Sequence, residues 1–271
     1  LTLEEIEKFQ QDYQQNKQIS SEDLEKLYAV IEKMREYTLN LHIYGCSIFR
    51  NMSTDELAKI NQELERRFSL SIEVVTQEQE AEYTALGCYY GLNYKKNICI
   101  FIGGGGSIEL IFVQQGKIID KKFYDFGVVD ITNQFSSLKN DIPDCTFDEV
   151  YTYVDHLIGD INQQTELLIL AGGDHLYWYN HAGYPLLENT LFQKDNQPYM
   201  ITKKMSDEYD HDALITSLER IRNNSDNPLW FDGSRAMKVI TNLISHKVGA
   251  KYIIPTKINM EDGLKNQLKQ N

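Results

Sequence analysis

The chain has 271 residues, 42% hydrophobic and 25% charged, with a formal net charge of −13. That length holds two compact lobes or one large domain, and that composition buries enough apolar surface to offset chain entropy. Basic residues cluster only as the pairs Arg66-Arg67, Lys121-Lys122 and Lys203-Lys204, so the acidity argues against binding to nucleic acid or anionic membranes.

In chain order, Leu3 to Tyr13 reads as a short amphipathic helix or an irregular segment. Ser20-Ser21-Glu22-Asp23 combines a hydroxyl cap with first-turn acids, and Leu24, Leu27, Tyr28, Ile31 and Met34 follow at helical spacing. Leu41 to Tyr44 predicts a strand ending at Gly45. Ser53 or Thr54 then caps a helix with Leu57, Ile60, Leu64 and Phe68 on one face. Ile72 to Val75 is a strand and Thr76 starts another helix, with Gln79 at the capping-box position. Alternation of this kind builds a largely parallel sheet with helices packed on it. Ile98 to Ile102 is a continuous apolar run, as for a strand buried on both faces. Ile108 to Val113, the turn Gln114-Gln115-Gly116, and Lys117 to Phe123 make a hairpin. Leu167 to Leu170 is a buried strand, Ala236 to Ile244 a helix, Lys251 to Ile254 a strand and Met260 to Lys269 a helix. The architecture restarts at Ile98, which places a lobe boundary between Leu86 and Tyr94: residues 1–90 form one lobe and 91–271 the other.

Cys46, Cys88, Cys99 and Cys145 form no C-x-x-C pair, and free thiols in a reducing, cytoplasmic setting are expected. No apolar run approaches the length of a membrane span, and no signal-peptide pattern opens the chain. The histidines show no zinc spacing. Asp155-His156 and Asp210-His211-Asp212 either contact a cation or lie in solvated loops, the latter being favoured. Tyr177-Trp178-Tyr179 either stacks on a base or packs a helix against the second lobe, the latter being favoured.

The most informative stretch is Gly103-Gly104-Gly105-Gly106-Ser107-Ile108-Glu109-Leu110. Glycines directly after a buried strand take positive φ without steric cost, and their N–H groups can converge into a nest for a phosphate oxygen, with Ser107 adding a hydroxyl. The alternative is a tight β-turn with no ligand. No Lys-Ser or Lys-Thr follows, which excludes a Walker loop, and a hairpin rather than a helix comes next, which excludes a dinucleotide fingerprint. Ala171-Gly172-Gly173-Asp174 is a second glycine turn at a strand end, where ligands of open α/β folds bind.

With these residues in place, the chain resembles the exopolyphosphatase/guanosine-pentaphosphate phosphatase (Ppx/GppA) family. The resemblance rests on Thr76 to Tyr83, Ile102 to Leu110 and Gly172-Gly173, in that order. Cys46-Ser47-Ile48-Phe49-Arg50 is similar to the family's T-x-A-[IL]-R segment, Phe126 to Val129 to its G-[CI]-V segment, and Gly263-Leu264-Lys265 to its closing G-L-R-E-G. The G-G-G-S-x-E-L match is the specific one. The resemblance implies an α/β fold of two ribonuclease-H-like lobes, as in actin-like ATPases, with mixed sheets flanked by helices and a cleft between the lobes. The last helix is expected to pack back on the first lobe.

By the same resemblance, the activity is hydrolysis of a terminal phosphoanhydride, in polyphosphate or guanosine pentaphosphate, usually with Mg²⁺. Glu80 aligns with the catalytic glutamate. Arg50, Gly104, Gly105, Gly106, Ser107, Gly172 and Gly173 align with phosphate-binding positions, and Glu109 with a supporting one. A homodimer is also implied. Each of these residues has a plainer reading. Glu80 sits where a helix dipole favours any acid, Arg50 suits a surface ion pair, and Glu109 suits an exposed strand.

Several positions depart from the pattern. The family's opening D-x-G-S-N-S loop does not occur in this sequence; it either precedes Leu1 or has been lost, leaving the first lobe incomplete. The aspartate two residues before the glycine loop is Ile102, Asp174 stands for Thr, Cys46 for Thr, Glu82 for Arg, and Lys265-Asn266 for Arg-Glu. Two functions therefore stand side by side: a divergent phosphatase using Glu80, or a catalytically degenerate relative that binds a phosphorylated nucleotide or a protein partner. A sugar kinase is disfavoured, because no catalytic-base or adenosine-pocket signature is evident.

Overall fold

A computed structural model describes residues 18–46, 48–225 and 228–268. The expected element at Leu3 to Tyr13 lies outside them, as does Ser47. The chain divides between Glu80 and Ala81 into two compact units.

The first unit contains α1 (Ser21–Arg35), β1 (Ile43–Gly45), the short α2 (Ile48–Asn51), α3 (Thr54–Phe68) and β2 (Ile72–Val74). Both long helices start where their caps predict. Ser20 Oγ accepts from Asp23 N at 3.1 Å, and Ser53 Oγ accepts from Glu56 N at 3.3 Å. Tyr28 and Ile31 of α1 join Ile60, Leu64 and Phe68 of α3 in one apolar core with Ile72. The strands pair in parallel, Ile43 opposite Ile72 and Gly45 opposite Val74.

Helix α4 (Gln77–Tyr89) carries the division between the units inside it, ten residues before the sequence-derived boundary at 90/91. The reason is packing. From Ala81 onward, Ala81, Ala85 and Cys88 bury against a large sheet. That sheet has seven strands in the order β5-β4-β3-β6-β9-β8-β7. They are β3 (Ile98–Gly103), β4 (Ile108–Gln114), β5 (Lys117–Tyr124), β6 (Leu167–Leu170), β7 (Leu187–Glu188), β8 (Tyr199–Thr202) and β9 (Tyr252–Pro255). β3, β6 and β9 run parallel, while β4, β5, β7 and β8 are antiparallel to their neighbours.

Alternate residues of the central strands feed two cores. Ile98, Ile100, Leu167, Ile169 and Ile254 share one with α4. Cys99, Phe101, Leu168, Leu170 and Ile253 share the other with α6 (Phe147–Ile158) and α10 (Ser234–Lys247). Burial on both faces is why these strands read as unbroken apolar runs. The remaining helices are α5 (Val128–Gln134), α7 (Asp174–Ala182), α8 (Lys203–Asp212), α9 (Leu218–Asn223) and α11 (Met260–Leu268).

Asp155-His156 and Asp210-His211-Asp212 lie on α6 and α8, not in solvated loops. α6 begins at a capping box in which Thr146 Oγ1 accepts from Glu149 N at 3.2 Å and Glu149 accepts from Thr146 N at 2.7 Å. Asp210 is fully buried and accepts from Tyr184, Ser206 and Asn242. The last helix, α11, packs on the Tyr83–Gly87 part of α4, where a Cβ at Gly263 would run into the carbonyl of Tyr83. That part of α4 belongs to the second unit.

Candidate functional site

Glu80 and Arg50 are brought together within the first unit. Helix α4 starts at a capping box in which Gln79 N donates to Thr76 Oγ1 at 3.1 Å and Thr76 N donates to Gln79 Oε1 at 2.8 Å. This fixes the first turn and with it Glu80, whose N–H donates to Thr76 O at 3.0 Å. Arg50 lies in the single turn of α2, and its Nη1 donates to Glu80 Oε2 at 2.6 Å and to Val75 O at 3.3 Å. Both side chains keep partial exposure, 25% for Arg50 and 35% for Glu80. Nε and Nη2 of Arg50 meet no acceptor among the described residues, so the guanidinium holds the carboxylate with one nitrogen and retains two for another oxyanion. Cys46 lies beside the pair. Burial, then the charge of Glu80, pushes its thiol up to about 11, against the pull of Arg50. That thiol stays protonated at neutral pH and is no nucleophile.

The second unit carries both glycine turns. In the first, Gly104 N donates to Ser107 O at 3.0 Å, closing a turn between β3 and β4. The carbonyls of Gly104 and Gly105 point at the start of α5, accepting from Val128 N at 3.1 Å and Val129 N at 2.9 Å. They satisfy two of the N–H groups a helix start leaves orphaned. The N–H groups of Gly105 and Gly106 donate to nothing among the described residues, and both glycines are exposed. The Ser107 hydroxyl likewise has no partner among them. The run therefore does present amides outward, but without left-handed backbone: no glycine from 103 to 106 takes a positive φ. That part of the sequence reading is corrected.

The second turn behaves differently. Gly172 and Gly173 take φ of 97° and 89°. Their N–H groups donate to Ile258 O and Thr256 O, each at 2.8 Å, and tie the turn to the segment after β9. These two amides, expected to bind phosphate, are engaged inside the protein. Asp174 follows as the first residue of α7. Glu109, for which an exposed strand position was one reading, is 5% exposed on β4, opposite Ile102 and Phe123. Glu82, which stands where the family pattern has Arg, pairs with Lys121.

Ile102 occupies the position of the missing carboxylate, and among the described residues no group of three or more His, Cys, Asp or Glu side chains is placed to hold an ion. Also among the described residues, no helix is long and apolar enough to cross a membrane.

One group of residues went unnoticed in the sequence. Lys238 and His175 are buried together, Nζ to Nδ1 at 3.1 Å, on the wall of a cavity that also reaches Gly104 and Gly105. Burial, reinforced by the lysine charge, holds the His175 imidazole neutral, well below its ordinary range. Trp178 of the Tyr177-Trp178-Tyr179 run lines the same cavity, and Tyr179 lies under the ammonium at 4.1 Å.

Residues 3–174 match the model of the Ppx/GppA phosphatase family. No curated protein matches the sequence. Among solved structures, an Aquifex aeolicus member of the Ppx/GppA family aligns with a TM-score of 0.77 at 17% identity, over 97% of this chain and 87% of that one. A second structure, of the Aquifex aeolicus Ppx/GppA enzyme, gives 0.75 at 17% identity, over 92% and 84%. An exopolyphosphatase from Cytophaga hutchinsonii gives 0.69 at 14% identity, over 94% and 85%. At such identities the likeness is one of fold.

Proposed function

The chain belongs to the Ppx/GppA phosphatase family, and from that premise we propose that it hydrolyses a terminal phosphoanhydride of polyphosphate or guanosine pentaphosphate, with Glu80 as general base. The observation that carries the reading is the Arg50–Glu80 pair at 2.6 Å, held by a capped helix start yet open to water. Water bound to Glu80 gives its proton to the carboxylate as its oxygen attacks the terminal phosphorus. The bond from that phosphorus to the bridging oxygen breaks, and the electron pair leaves on the shortened chain. Nε and Nη2 of Arg50 are donors suited to the phosphoryl oxygens. In the second unit, the amides of Gly105 and Gly106 and the Ser107 hydroxyl suit an oxyanion in the same way. Mg²⁺, which needs only one or two protein oxygens beside substrate phosphates, would accompany the polyphosphate and offset its charge.

The second reading, a degenerate member that binds without hydrolysis, draws on the engaged amides of Gly172 and Gly173 and on apolar Ile102. One experiment separates the two. Orthophosphate release is measured with polyphosphate and with guanosine pentaphosphate in the presence of Mg²⁺. Glu80→Gln is expected to lower the rate by about 10² to 10⁴, the range for a lost general base, with thermal unfolding unchanged. Absence of release by the unmutated protein, together with a ligand-induced rise in its melting temperature, would establish the binding reading instead.

A further inference from the structure

A cavity of about 290 Å³ is bounded by the first glycine turn, the start of α5, α7 and the start of α10. Its walls are largely apolar, with Val128, Val129, Trp178 and Met237. On them sits Lys238, 1% exposed. An ammonium carries three donors. One is used on His175 Nδ1 at 3.1 Å, and one side of the group lies over the Tyr179 ring at 4.1 Å. No oxygen of the described residues accepts from it. A buried charge is retained at low cost only where its hydrogen bonds are completed, and among the described residues this one lacks an oxygen acceptor.

The neighbouring carboxylates do not supply it. Asp210 already accepts from Tyr184, Ser206 and Asn242, and Asp232 is bound to Arg222 at 2.6 Å. Lys139 and Lys238 are then the cations on the wall, against Asp174. Burial draws Lys238 down to about 8, with Asp210 and Asp174 pulling upward, so the group is still largely charged at neutral pH. The space exceeds what an inorganic oxyanion fills, and apolar walls favour an apolar occupant.

We propose that this cavity binds a small organic anion, one oxygen accepting from Lys238 Nζ and a compact apolar body packing on Trp178, Val129 and Met237. The site requires no turnover, so it stands or falls separately from hydrolysis at Glu80.

The test titrates the whole protein with benzoate, phenyl phosphate, benzyl alcohol and inorganic phosphate, read by calorimetry and by tryptophan fluorescence, since Trp178 lines the site. At least one of the two aromatic anions is expected to bind at least tenfold more tightly than benzyl alcohol and than inorganic phosphate. Benzoate alone identifies a carboxylate ligand, phenyl phosphate alone a phosphate ester, and both a general oxyanion site. Lys238→Met, which keeps the chain length and removes the buried charge, is expected to reduce that affinity at least tenfold without lowering the melting temperature. Val129→Trp, which fills the mouth and leaves Lys238 in place, is expected to do the same and serves if the first variant does not fold. Equal binding of the neutral alcohol, of inorganic phosphate, or of the anions to either folded variant overturns the proposal.

Discussion

The two glycine turns of the second unit have nearly the same composition and opposite polarity. After β3, the carbonyls of Gly104 and Gly105 are engaged by the first amides of α5, and the amides of Gly105 and Gly106 face outward. After β6, the amides of Gly172 and Gly173 are engaged by Ile258 O and Thr256 O. The neighbour decides. A helix start offers spare N–H groups and draws in carbonyls, whereas an extended segment after a strand offers carbonyls and draws in amides. A glycine run after a strand is thus half of an anion site at most, and only the first turn has the half that binds anions.

This contrast can be broken by substitution. The largest effect is expected at Gly127, which has extended backbone at φ −147°, so that approach rather than conformation requires glycine. A Cβ there would be driven into the carbonyls of Gly104 and Gly105, the groups that hold the first turn to α5. Overpacking against backbone combined with two weakened hydrogen bonds should cost about 3 kcal/mol or more in Gly127→Ala. Denaturant unfolding measures it; a loss under about 1 kcal/mol would mean the turn is not anchored by those carbonyls. A smaller effect is expected at Gly172, where a Cβ meets nothing within 4 Å but φ is 97°. Gly172→Ala should cost roughly 1–2 kcal/mol from conformation alone, and Gly172→Asn less, because Asn tolerates left-handed backbone better. Equal losses for Ala and Asn would point to the hydrogen bonds with the segment after β9 rather than to φ.

Local signals in the sequence were legible because they act over a few residues. The caps at Ser20 and Ser53, the Thr76–Gln79 box and the buried runs at Ile98 and Leu167 all form as their spacing predicts. Glu80 and Arg50 were singled out separately, but their pairing spans 30 positions and joins two helices, which no local pattern encodes. α10 was read as a helix over Ala236 to Ile244, and neither Arg235 nor Lys238 was singled out. In the structure every residue from Ser234 to Ser245 is buried. Arg235 is fully buried and donates to the carbonyls of Leu138, Asn140, Asp141, Ala213 and Thr216, bracing two distant segments. No local signal marked this: Ser234, Arg235, Lys238, Thr241, Asn242 and Ser245 fall on one helical side and Ala236, Met237, Val239, Ile240, Leu243 and Ile244 on the other, the pattern of a half-exposed helix, and only contacts with residues far away in the sequence enclose it.

The smallest expected effect on stability is the most informative about function. Gly106 is exposed, takes no positive φ and has open space where a Cβ would stand. Gly106→Ala therefore introduces neither clash nor strain, and by restricting the unfolded chain it should leave stability unchanged or raise it by up to about 1 kcal/mol. The added methyl, however, stands beside an amide that is exposed and has no acceptor among the described residues. If that amide contacts a substrate oxyanion, the methyl crowds the approach, and orthophosphate release at limiting polyphosphate should fall several-fold while the melting temperature holds or rises. Release that is unaffected in a variant of unchanged stability would reduce the first turn to a chain reversal and leave the Arg50–Glu80 pair as the sole support for phosphate chemistry. A fall in both would instead show that position 106 carries packing its open surroundings do not display.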